Sequence, residues 1–153
     1  MSDASPAKAV GFTGPIDPQR FFAARLGGHV GALGMRYHAH GEDWIELALP
    51  YADKLIGDPE TGVMASGAIL ALMDMACGSS IWLARKMFVP QATLDLRIDY
   101  LRPATPGETV IGRAECYRVT RSIAFVRGQA HDGDPSDPLA QVAATFMFTG
   151  APT

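Results

Sequence analysis

Asp74 is the residue of this chain whose setting most invites chemistry. It is the sole charged side chain in residues 62–80, a run otherwise made of apolar and small residues. Counted at helical spacing, Gly67, Ala71, Asp74 and Gly78 fall on one stripe. Three of the four are small, so a partner backbone or a ligand can come close to the helix there. An ionised carboxylate in such surroundings is costly unless it is paired or hydrogen-bonded. Two roles fit. Asp74 is a structural anchor, held by an arginine or by backbone amides, or it is a catalytic base or nucleophile. In the second role it stands two helical turns from an N-terminus whose free amides can hold an oxyanion. Chemistry alone leaves both open.

No other side chains build a rival centre. His38 and His40 are two apart on an expected strand and so share a face, but no acidic or cysteine partner stands at metal-ligand spacing. No metal site is expected. Cys77 and Cys116 lack a Cys-x-x-Cys spacing, which argues against a zinc site and a disulfide framework. The tryptophans and methionines read as core or pocket lining, with Met64, Met73, Met75 and Met87 near the helix.

The stretch that carries Asp74 must be positioned by the rest of the chain. It is apolar on every side from residue 68 to 77 except at Asp74, so the spacing predicts a core helix over residues 66–85, wrapped by the remaining fold. Ser66, Gly67, Asp74 and Gly78 interrupt it before about 18 clean apolar residues accumulate, which reads against a membrane span. After it, Ala92, Leu94, Leu96, Ile98 and Tyr100 alternate with Thr93, Asp95, Arg97 and Asp99, a strand with one buried and one polar face. Further strands are expected near residues 109–119, 123–131 and 139–149.

Before the helix, Asp17 and Pro18 have the form of an N-cap and first helical residue. Phe21, Phe22 and Leu26 give that short helix its apolar side, and Gly27 and Gly28 end it. Strands are expected over residues 30–40 and 44–49, and residues 51–62 read as a loop. Residues 1–16 look like a flexible lead and residues 17–153 like a single domain. The fold class is α+β: one long helix against a curved, mostly antiparallel sheet of about five to six strands.

With 153 residues, 48% hydrophobic and 19% charged, the chain reads as globular and large enough for a sizeable core. A net charge of −3 gives no footprint for nucleic acid or an anionic membrane. The N-terminal segment has no apolar run of signal-peptide length, so a reduced, cytoplasmic setting is expected.

The order of these pieces resembles a hotdog-fold acyl-CoA thioesterase, of the PaaI-like, phenylacetate-degradation-related group. Residues 66–76 and 93–104 carry most of the resemblance: Gly67, Ala68 and Ile69 at the helix start, Asp74 on the helix, and Asp95-Leu-Arg-Ile-Asp-Tyr-Leu-Arg-Pro103 after it. Residues 118–122 and 143–146 add weaker support. Family members open the helix with His-Gly-Gly and place the catalytic Asp nine positions after the His. Here Ala65 stands for the His, Ser66 and Gly67 for the glycines, and Asp74 falls at the catalytic place. Pro59 replaces an Asn often found six positions before the His.

The resemblance implies hydrolysis of a small-to-medium or aromatic acyl-CoA to free acid and CoA. The carbonyl is then polarised by the Ser66 and Gly67 amides, Asp74 attacks or deprotonates water, and Thr93 orients the attacking group. The Ser66 hydroxyl is expected to cap the helix. Arg102, Arg121 and Ser122 are candidates for the CoA phosphates; exposed strand-end charges are the plainer reading of each. No separate cofactor is implied, since CoA is part of the substrate. The implied assembly is a homodimer, with a homotetramer built from two, and the site lies between subunits. Two alternatives stay open. A non-catalytic hotdog protein that binds acyl-CoA suits the lost His and Asn. A hotdog dehydratase or hydratase needs a His acid/base near the helix start, and Ala65 argues against it.

Overall fold

The computed structural model describes residues 16–24 and 27–150. The expected lead falls almost wholly outside these residues, as does Leu26. Asp17 Oδ1 accepts the Arg20 amide at 3.1 Å, and α1 (Pro18–Ala24) buries Phe21 and Phe22. A second helix, α2 (Gly28–Leu33), occupies the first part of the strand expected over residues 30–40. The glycines are the reason. Gly34 takes φ 78°, and its amide and that of Met35 close onto the carbonyls of Gly31 and Val30, a helix termination open to few other residues. Strand β1 is left with Arg36–His40.

Strand β2 spans Trp44–Leu49. The expected loop that follows holds a 3-10 turn, Asp53–Leu55, and a small hairpin of β3 (Ile56–Asp58) and β4 (Val63–Met64). Strands this short carry too few residues for a periodic signal. The hairpin seats the start of the long helix, because a Cβ at Gly57 would lie 2.8 Å from the Cα of Ala65. Helix α3 is Ser66–Arg85, as its pattern predicts. Strands β5 (Gln91–Tyr100), β6 (Val110–Val119), β7 (Ile123–His131) and β8 (Ala140–Phe148) follow. The main sheet has six strands in the order β1-β2-β6-β7-β8-β5, and every neighbouring pair is antiparallel. Strands β1 and β5 are its edges.

Helix α3 lies against the curved inner face of this sheet. Leu72, Met73, Ala76, Cys77 and Ile81 are fully buried. Two glycines in the sheet admit the helix. A Cβ at Gly112 would stand 2.9 Å from Met73 Sδ, and one at Gly128 would stand 2.5 Å from the Arg113 carbonyl oxygen and 3.0 Å from Met73 Cε. The sheet covers one side of α3 only. Leu70 is 39% exposed, and Ala71, Asp74 and Met75 are half-buried. The expected long helix wrapped by a curved antiparallel sheet is present, with one apolar side of the helix left open. By length and composition α3 would pass for a membrane span despite its interruptions, yet 56% of its most apolar window is buried in the fold, as a core helix is.

Strand β5 departs from its expected alternation. Thr93 pairs with Phe146 and Asp95 with the adjacent Thr145, so Leu94 is a β-bulge. The extra residue reverses the parity of the strand. Gln91 and Thr93 face α3 before it, and Leu96, Ile98 and Tyr100 pack toward the helix after it. Leu94, read from sequence as buried, is 53% exposed.

The close seating of α3 gives a direct test. Overpacking a filled interior costs about 1–3 kcal/mol, so Gly128→Ala is expected to lower the unfolding free energy by about 2 kcal/mol. Urea unfolding followed by circular dichroism reads this as a lower midpoint at unchanged slope.

Candidate active site

The stripe anticipated on α3 faces open space. Gly67, Leu70, Ala71, Asp74 and Leu96 frame a cleft of 300 Å³. A second cleft, of 170 Å³, continues along the helix between Asp74, Gly78, Trp82, Gln91, Thr93 and Phe146. Asp74 belongs to both. The Leu94 bulge aims Thr93 at it, and Thr93 Oγ1 donates to Asp74 Oδ1 at 2.8 Å. A carboxylate with one oxygen ordered by a hydroxyl and the other facing a cleft is arranged to take a proton from water or to attack an electrophile. Cys77, one turn away on the buried side, offers no rival nucleophile, since burial pushes its thiol up to about 12, with the Asp74 charge adding to the effect. No histidine lines either cleft. His38 Nε2 instead stands 3.9 Å from Glu46, and His40 Nδ1 shares a hydrogen bond with the Tyr37 hydroxyl. A bulge in β1 gives them these separate partners.

At the helix start Ala65 is the N-cap and supplies no side-chain cap. Ser66 is the first helical residue, so its hydroxyl is not the cap that the sequence suggested. The amides of Ser66 and Gly67 are exposed and donate to no acceptor among the described residues. They are free donors at the positive end of a 20-residue helix.

Two further residues hold these groups in place and were not singled out from sequence. The Tyr100 hydroxyl donates to the Ser66 carbonyl at 2.8 Å, and burial raises its pKa, which keeps it a donor. Gln91 Nε2 donates to the Gly78 carbonyl at 2.7 Å. Even alternation assigned Tyr100 to a buried face without a partner, and Gln91 lay before the expected strand. The bulge, which relates both to the helix, has no sequence period.

The structure does not bring the three candidate phosphate ligands together. Arg102 lies beyond the end of β5 near Ser66, whereas Arg121 and Ser122 form the β6–β7 turn, beside the end of β8 that pairs with Gln91. A ten-residue strand, about 30 Å, separates the two positions. Arg121 is exposed and has no partner among the described residues. The Arg102 guanidinium is already engaged. Its Nη1 and Nη2 donate to Asp132 at 3.0 and 2.6 Å, and Nη2 donates to the Asp137 carbonyl oxygen at 2.8 Å. Its Nε lies 3.1 Å from Asp137 Oδ2 at ion-pair distance but without hydrogen-bond alignment.

This geometry and topology define a class. The chain belongs to the thioesterase superfamily, whose profile matches residues 61–138, just over half its length, and it has the hotdog architecture of that class of thioester hydrolases. A crystal structure of a Pseudomonas aeruginosa protein is 45% identical, with a TM-score of 0.75 over 85% of this chain and 95% of the other. The medium/long-chain acyl-CoA thioesterase YigI of Escherichia coli is 26% identical over 129 residues, 76% of this chain and 82% of its own. The PaaI protein from the E. coli phenylacetic acid degradation operon is 13% identical, with a TM-score of 0.74 over 88% and 93%; that likeness shows the fold alone.

The Arg102 clamp sets a pH dependence. Its guanidinium holds the Asp132 carboxyl well below the usual carboxylate range. Because the folded value is depressed, the stabilisation is present above the unfolded value of about 4 and is lost as pH falls below it. Asp132→Asn is expected to melt at a lower temperature near neutral pH and to lose less on acidification than the wild type. Thermal melts between about pH 7 and pH 3 compare the two slopes.

Proposed function

We propose that this chain hydrolyses acyl-CoA thioesters to a free acid and CoA, at a site completed by a second copy of itself. The observation that carries the reading is the Asp74–Thr93 pair on an open cleft, in a helix whose first amides are free. In one route Asp74 takes a proton from water as the hydroxyl adds to the thioester carbonyl carbon. In the other Asp74 adds first and water cleaves the mixed anhydride. In both the C–S bond breaks, CoA leaves as a thiolate that is then protonated, and free amides holding the carbonyl oxygen stabilise the developing charge.

A single copy does not bring these groups together on one carbonyl. Gly67 and Asp74 are seven residues apart, about 10 Å along a helix, whereas a reacting carbonyl must lie about 3 Å from both its donors and its attacker. The Asp74 of one copy therefore acts on a carbonyl held at the helix start of another. The edge strand β5, with Leu94 and Tyr100 exposed and Leu101 just beyond it, is the surface through which two copies meet. We take the dimer as the working unit, with a tetramer formed by two such dimers. The unpaired Arg121, with Ser122, is the better placed phosphate contact, and Arg102 a structural clamp. Two buried free cysteines, Cys77 and Cys116, suit the reducing cytoplasm.

Ala65 and Pro59, in place of the family's His and Asn, favour one second reading, a binding protein without turnover. Thiol release from a panel of acyl-CoAs separates the two. Asp74→Asn is expected to reduce kcat at least about 100-fold and Thr93→Val about ten-fold, each with folding and assembly intact. Saturable acyl-CoA binding with no thiol release would transfer the protein to the binding class. Full activity in Asp74→Asn would refute the assigned role of that carboxylate.

A further inference from the structure

The peptide group that joins Ser66 to Gly67 stands between two clefts. Ser66, Tyr100, Leu101 and Arg102 help to line one of 340 Å³, and Gly67 opens onto the 300 Å³ cleft beside Asp74. We propose that Tyr100 is a positioning residue for the hydrolysis. Through the Ser66 carbonyl it polarises the Gly67 amide and makes that amide the principal donor to the thioester oxygen. This rests on the acyl-CoA hydrolase reading above.

The Ser66 carbonyl and the Gly67 amide are two ends of one planar, conjugated unit. A donor on the oxygen draws electrons from the nitrogen, and the N–H becomes a stronger donor in turn. A carbonyl oxygen has two lone pairs to offer. The helix supplies one partner for that of Ser66, the Leu70 amide four residues on. Tyr100 supplies the second at 2.8 Å, the ordinary length of a good O–H···O bond. At the other end of the unit the Gly67 amide is free. Nothing beyond its immediate neighbours in the helix lies within 4 Å of a Cβ built at Gly67, so a substrate oxygen can approach. The donors then run in series from phenol to peptide to thioester. The Ser66 amide has no such support. It shares its peptide group with the Ala65 carbonyl, which takes the Ala68 amide at 3.1 Å and no side-chain donor among the described residues.

The phenol is held on this carbonyl from several sides. The Leu94 bulge sets the parity that turns Tyr100 toward the helix. Leu101, the next residue, donates its amide to the Leu139 carbonyl at 2.9 Å. Arg102, one further on, is locked to Asp132 at 3.0 and 2.6 Å, so the strand end does not swing. Burial raises the Tyr100 pKa and keeps its proton in place through the neutral range. A second copy paired on the β5 edge would shield this bond from water and strengthen it further. Removing a whole oxyanion donor slows catalysis about 100- to 1,000-fold. A bond in series strengthens the next by about 10–30%. Taken as that share of the donor's effect, the Tyr100 hydroxyl contributes about two- to eight-fold to the rate.

The test joins kinetics to infrared spectroscopy. Tyr100→Phe keeps the ring and removes the hydroxyl, and is expected to lower kcat about five-fold while KM changes less than about two-fold. Octanoyl-CoA with an isotope-labelled thioester carbonyl is then bound to Asp74→Asn, which slows its turnover. Its carbonyl stretch is expected below the frequency in water, and adding Tyr100→Phe removes about 10–30% of that shift. Tyr100→fluorotyrosine, read near neutral pH, offers a more acidic phenol and deepens the shift. This opposite arm also carries the test if Tyr100→Phe does not fold. A tyrosine needed only for packing would alter stability, assembly or KM and leave the stretch unmoved. The same frequency with and without the hydroxyl overturns the inference and leaves the hydrolase reading standing. No thiol release by the wild type from any acyl-CoA overturns both.

Discussion

A single sheet can cover only one side of a helix, and an ionised carboxylate must stay on the side left uncovered. Most of the structure follows from that division on α3. Toward the sheet the helix presents Leu72, Met73, Ala76 and Cys77, all fully buried, and Gly112 and Gly128 give up their side chains so that Met73 can seat. Away from it stand Gly67, Ala71 and Asp74. The contrast between adjacent turns shows the force of the division. Cys77 faces inward, where loss of water drives its thiol up to about 12. Asp74 faces a cleft, keeps access to solvent and holds a hydroxyl as partner. A carboxylate at the position of Cys77 would have no such compensation.

In the proposed reaction the same division leaves the chain unfinished as a catalyst by itself. The helix exposes its small-residue side, and β5 beside it leaves a row of backbone groups unpaired at the sheet edge. Surfaces of that kind ask for a partner, and the distance along the helix between the free amides and the acid asks for one independently. In the proposed reaction these two demands have a common answer. Tyr100 connects them, being exposed on the edge strand and hydrogen-bonded to the first carbonyl of the helix.

Much of this was legible in the sequence, because the features concerned are periodic or chemically singular. The bounds of α3, the strands β2 and β7, the α+β class and the small-residue stripe around Asp74 all have a repeating signal over many residues. What escaped has no period. The termination of α2 depends on one glycine at positive φ, and β3 and β4 are too short to alternate. The Leu94 bulge is one uncounted residue, yet it exchanges the two faces of half a strand. Reading β5 as an even alternation put Leu94 inside and Thr93 outside, so the resemblance to the thioesterases, and not the pattern, pointed to Thr93 as a partner of Asp74. Arg102 shows the opposite failure. Its type and place suggest a phosphate ligand, and only the fold reveals the two aspartates, Asp132 and Asp137, that already hold it.

The bulge has a consequence for how such a site changes over time. The pairing of hydroxyl with acid is stored in the number of residues in β5 as much as in their identity. Deleting Leu94 would leave a regular strand, a sound core and the sheet order untouched, while turning Thr93 and Gln91 outward together. Substitution can weaken this site by degrees, one side chain at a time. A change in count dismantles it in a single event, and offers a descendant chain the same scaffold with a blank wall opposite its carboxylate.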